Sequence, residues 1–219
     1  MTGCSSETRL ARRFFSLTAT VLAGLITGSG AAQEGTLAEP FPAPAANAAL
    51  HYQRAMLHLA QLDDDEARPL AKPIWEILPA PVDQQLPREV GRLLSRARFA
   101  VRAAAKGSRN AACNFGIDFS ELGAGASLPH VEGMVHLGRL LTLRGAQAEA
   151  QGKWDEAAIV YFDGIRMGRH LTHQNTVLEA FAGLEILRNN YFALARWAAR
   201  CPARPLVARA FGLLEAMQD

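Results

Sequence analysis

Long apolar runs are scarce in this sequence, and each scarcity removes a class of function. The one stretch approaching membrane length, Phe14 to Ile26, is shorter than the roughly 20 residues that cross hydrocarbon. No later run is apolar enough, so no membrane span is expected in the rest of the chain. Aromatics at 7% form no interleaved set with the basic residues, so nucleic-acid stacking is not expected. Three cysteines cannot form a disulfide framework. HExxH, paired ExxH, GxGxxG and phosphate-loop patterns are missing, and Ser120 and Ser127 sit in no strand–Ser–helix elbow. No cofactor is expected.

What is present begins with a targeting pattern. Arg9, Arg12 and Arg13 precede the apolar run, and Gly28, Ser29, Gly30, Ala31 and Ala32 follow it. That order predicts a secretory signal peptide over 1–32 and hence a periplasmic or extracellular protein. An uncleaved segment would instead act as an N-terminal membrane anchor. The segment carries three Arg and one Glu, so the remaining chain balances 20 basic against 20 acidic residues. A neutral chain gives no global pull toward nucleic acid. Cys113 and Cys201 remain beyond the signal; in an oxidising compartment they would either pair or stay as two buried thiols.

Residues 33–45 are rich in Pro and Ala and read as a flexible leader. From 46 to 219 the apolar spacing is helical, and the expected class is a single all-α domain of antiparallel hairpins. Helices are predicted over about 46–62, 87–106, 129–151, 155–171, 176–200 and 205–217. Pro87 and Pro129 open two of them, Asn175 or Thr176 caps another, and Pro202 stops it. Asp63 to Glu66 with Pro69 and Pro73 is read as a helix stop, followed by a short packed turn at Trp75, Ile77 and Leu78.

The candidate chemistry gathers in CNFGIDFSELGAGASLPHVEGMVH, residues 113–136. His130, Glu132 and His136 stand at one helix start; His170 and His173 stand at another helix end. Antiparallel pairing would bring the two groups together as a metal or acid–base site. Against this, His130 and His136 lie six apart and face different sides of a helix. Cys113 would act as a nucleophile only beside a base such as His130. Phe115, Ile117 and Phe119 alternate in a connection and must be buried, either plugging a helical groove or leaving a peptide groove partly open. Asp118 suits a turn, and Phe115, Asp118, Phe119, His130 and Arg169 are the candidate binding residues. Arg88, Arg92 and Arg96, with Arg98, Arg102 and Lys106 beside them, form a basic strip that reads as a solvated face or an anion surface.

Two resemblances add to this. LRGAQAEAQGKWDEAAIVYFDGI, within residues 138–171, resembles a tetratricopeptide hairpin through Gly145, Gly152, Trp154, Ala157 and Tyr161; Arg144 departs from the pattern. More widely, Cys113-x-Phe115-Gly116-x-Asp118-Phe119, Leu128-Pro129-His130 and Gly168-Arg169-His170-Leu171 resemble exported helical proteins of planctomycete-type bacteria, a group with no established activity. That resemblance implies a fold over about 46–200 and no catalytic residue. It also implies a member shortened at its C-terminus, with an apolar edge. The expectation is a non-catalytic exported scaffold for a protein or peptide partner. An exported, metal-dependent enzyme is the alternative, and self-association through the edge is a third.

Overall fold

The computed structural model describes residues 47–78, 86–117, 127–174 and 176–217, all within the unit Phe41–Asp219. The expected signal peptide 1–32 and leader 33–45 lie outside the described residues. Nine helices follow one another among those described: α1 (Ala48–Leu59), α2 (Asp64–Ala71), α3 (Ile74–Ile77), α4 (Arg88–Arg96), α5 (Arg98–Ser108), α6 (Pro129–Ala150), α7 (Trp154–Thr172), α8 (Val177–Arg200) and α9 (Arg204–Ala216). No strand occurs among the described residues; an isolated bridge joins Asn47 to Ala112. The chain is all-α.

The first helix ends before the acidic run, at Leu59, and the run itself starts a further helix. Asp63 accepts a hydrogen bond from the Glu66 backbone N–H, and three acidic residues occupy the first turn of α2, where the helix dipole favours them. The predicted 87–106 helix is split at Ala97, whose dihedrals leave the helical well. Elsewhere the expected ends hold. Pro129 occupies the first turn of α6. Gly152, at φ +70°, makes the turn into α7, a conformation that glycine adopts without cost. Thr176 caps α8 in a reciprocal capping box with Glu179.

Helices α6, α7 and α8 pack against one another, and α1 pairs with α5 on their flank. Two apolar clusters result. The first gathers α1 to α6, with Met167, Leu171, Ala182 and Ile186; the second gathers α7, the C-terminal half of α8 and α9 around Trp197. Each fully buried Leu, Ile, Val or Met side chain in them contributes about 1.5–3 kcal/mol. Helices α6 and α7 approach closely because Gly145 leaves room for the Tyr161 ring.

Buried polar groups hold the layers in place. Tyr161 donates to Glu149, which also takes a 2.8 Å hydrogen bond from Arg196. Asp163, on α7, accepts from Ser108 at 3.1 Å and from Arg109 at 2.8 Å, fastening α5 to α7. Burial would lower the Arg196 pKa, but Tyr161 and Glu149 beside it raise it above the ordinary value. Arg144, the misfit in the hairpin pattern, turns outward to pair with Glu156 and Gln147.

Candidate functional site

The segment 112–117 is fixed first by asparagines. Asn47 caps α1 by accepting from Ala49; it also donates to the Asn114 carbonyl at 2.8 Å and accepts the Asn114 N–H at 3.0 Å. Gln174, just beyond α7, donates to the carbonyls of Cys113 and His170 at 2.9 Å each. The segment therefore lies across the end of α7 and the start of α6. Phe115 is partly buried against the first cluster and stacks on the His130 ring, with centroids 4.0 Å apart. Asp118 and Phe119 lie outside the described residues.

His130 and His170 do come near this segment, but each is already engaged. The buried His130 Nε2 lies 2.8 Å from Glu179 Oε1, and Glu179 is itself buried. The same carboxylate accepts from the Thr176 hydroxyl and backbone N–H through its other oxygen. His170 Nδ1 pairs with the Tyr52 hydroxyl at 2.8 Å. Burial pushes the His170 pKa below its ordinary value, and His173 and Arg169 nearby add to that shift. Burial also lowers His136, against the opposing pull of Glu132. Glu132 and His173 are exposed, and Arg169 is half-buried on the last turn of α7. Among the described residues no group of three metal-type side chains converges. Of His130, Glu132, His136, His170 and His173, the first and fourth are thus held by separate partners, Glu179 and Tyr52.

Cysteine chemistry is equally constrained. Cys113 packs on the first cluster and Cys201 in the second, and both are free thiols. The structure does not bring them together as a bridge. Burial, then the Glu179 carboxylate, pushes the Cys113 pKa up to about 12, so it holds almost no thiolate at neutral pH. A protonated thiol and histidines already in hydrogen bonds offer no activated nucleophile.

Three residues of the basic strip make local contacts. Arg98 and Arg102 lie over the Phe99 ring at 4.8 and 5.9 Å, and Arg96 pairs with Glu66 at 2.9 Å.

An opening that sequence reasoning missed lies between α3 and α8. It is a cleft of about 410 Å³, lined by Ile74, Trp75, Leu78, Arg188, Phe192 and Ala193, with Thr142, Asn189 and Arg196 completing it. The Arg188 guanidinium lies 5.4 Å over the Trp75 ring. No carboxylate lines this cleft, so its electrostatics are neutral to positive. Along α8 beside it, Leu178, Phe181 and Phe192 are 64%, 65% and 61% exposed. On one outward face of α8, Leu178 and Phe181 stand near its start and Phe192 eleven residues further on, with Glu185 and Arg188 between them. The signal was present in Leu178, Phe181 and Phe192, whose spacing was absorbed into a long helix that has a second, buried apolar face. No described helix is long and apolar enough to cross a membrane.

Compared with known proteins, the chain matches no family model, and neither a curated protein nor a solved structure shows significant similarity to it.

Proposed function

We propose that this chain is an exported, non-catalytic protein of helical hairpins that works by holding a protein partner. One observation carries the reading: three large apolar side chains on one helix stand open to water beside an aromatic cleft. Large apolar side chains exposed on one face and mixed with charged ones are a common make-up of contact sites. The engaged histidines and the protonated thiol support a non-catalytic role. A tetratricopeptide-like reading of α6 and α7, with α8 opening a second unit, draws support from Gly145 against Tyr161 and from the buried Ala157. Helical repeats of that kind present continuous binding faces, an analogy at the level of fold. Export rests on the pattern of residues 1–32.

The test is a photo-cross-linking amino acid placed at Phe192, with the exposed Gln53 on α1 as control position. A protein adduct at 192 and none at 53 is expected. Repeated absence of any adduct at 192 would overturn the reading.

A further inference from the structure

We infer that the partner seated on α8 is a second copy of this chain, paired antiparallel. The inference rests on the interaction reading above and names its occupant. The outward residues Leu178, Phe181, Glu185, Arg188, Phe192 and Ala195 follow one another at alternating spacings of three and four. That is the spacing by which one helix packs along another at a shallow crossing angle.

An antiparallel pair with its twofold axis between Ile186 and Leu187 sets Phe181 opposite the second copy's Phe192 and Leu178 opposite its Ala195. At the centre, Glu185 meets the second copy's Arg188, and the symmetry repeats the contact. A parallel pair would instead set Glu185 on Glu185 and Arg188 on Arg188, so the charges select the antiparallel arrangement. The groups needed are available. Arg188 is exposed and, among the described residues, contacts the Trp75 ring without an ion pair. Arg139 occupies one oxygen of Glu185, Oε1, through two hydrogen bonds, and the Glu185 side chain remains 31% exposed. The cleft beside Phe192 then receives the Phe181 ring of the other copy.

The area is sufficient. Trp75, Phe181 and Phe192 are each about three-fifths exposed. At about 200 Å² per aromatic side chain they offer on the order of 400 Å² per copy. Two copies reach roughly 800 Å² from rings alone, and Leu178 with the stems of Arg188 and Glu185 brings the pair to the ~1,000 Å² of a specific contact. A reversible dimer with micromolar affinity is the expected strength.

Sedimentation of the purified protein should show a concentration-dependent monomer–dimer equilibrium. Phe181→Glu should sediment as a monomer with unchanged helical circular dichroism, because the position is exposed. In oxidative cross-linking, a mixture of Phe181→Cys and Phe192→Cys chains should form a disulfide-linked dimer. Neither variant alone should, since identical positions are offset by 11 residues, about 16 Å along the axis. The native thiols serve as background, with wild type expected to stay uncross-linked. A wild-type protein that remains monomeric to high concentration would overturn the pairing, as would single variants that cross-link as readily as the mixture. If the protein is monomeric yet a different protein is captured at Phe192, the pairing fails and the interaction reading stands. Monomeric behaviour without any adduct at Phe192 removes both.

Discussion

Replacing Gly145 by Ala should destabilise this protein, although the same substitution in a helix ordinarily stabilises it. An added methyl at Gly145 would sit 2.6 Å from Tyr161 Cζ and nearer still to Cε1. The ring cannot easily give way, because its hydroxyl donates to the buried Glu149 and accepts from Arg196 at 3.1 Å. Overpacking of a rigid site costs about 3 kcal/mol, the upper part of its usual range. The gain in helix propensity on removing glycine returns about 1 kcal/mol. The net loss is therefore about 2 kcal/mol, or roughly 4–8 °C in Tm for a domain of this size. Gly91→Ala is the internal control: nothing lies within 4 Å of its added methyl. There the propensity gain of about 1 kcal/mol acts alone and should raise Tm by about 2–4 °C. Differential scanning calorimetry of both variants decides the matter. A third measurement isolates the cause. In a Tyr161→Leu background, Gly145→Ala should lose most of its penalty, a coupling of at least about 1 kcal/mol. If Gly145→Ala raised Tm as Gly91→Ala does, the close approach of α6 and α7 argued here would be refuted.

Glu179→Ala should cost about 2–4 kcal/mol by urea unfolding, because it removes the carboxylate that accepts from the Thr176 N–H and hydroxyl and leaves His130 buried without its partner; Thr176→Ala should cost only about 1 kcal/mol. An equal cost for the two would show that the His130 contact adds nothing. Stability should also fall on acidification from pH 7.5 to 5.5. His170 and His136 titrate below the ordinary value of 6.5 when folded, so below that pH the unfolded chain binds protons that the folded chain does not. The loss is at most about 1.4 kcal/mol per pH unit per histidine, and His170→Gln, which keeps an acceptor for Tyr52, should flatten the slope. A urea midpoint that held or rose at pH 5.5 would contradict this. Cys113 and Cys201 should alkylate slowly at pH 7.5 in the folded protein and rapidly in urea, followed by peptide mapping; rapid native labelling of Cys113 would contradict its raised pKa.

The helices and most of their ends were legible because local chemistry sets them: Pro129 at a first turn, Thr176 at a cap, Pro202 after an end. The acidic run at Asp63 does follow a helix end, but spacing did not show that its carboxylates also stabilise the start of α2. The split at Ala97 left no trace in spacing, because the apolar stripe continues through it. At the candidate site, antiparallel pairing made a meeting of the His130 and His170 ends conceivable from sequence, and the structure sets both beside the 112–117 segment. Sequence could not name Tyr52 and Glu179 as their partners, which are 118 and 49 residues away. Partners that distant are chosen by packing rather than by periodicity. The α8 stripe escaped notice for the opposite reason: its spacing is that of any buried helix, and only the fold decides which of two apolar faces is covered.

The Glu179 carboxylate has a consequence for the order in which the protein forms. One side chain both caps the start of α8 and clasps His130, so the first turn of α8 is tied to the first turn of α6. The first helix is likewise secured by Tyr52 to the end of α7. A chain emerging from its N-terminus can already join α1 to the 112–117 segment through Asn47 and Asn114, while the partners of Tyr52 and His130 arrive only with residues 170–179. The early half therefore gains these two buried contacts only once the seventh and eighth helices have been made.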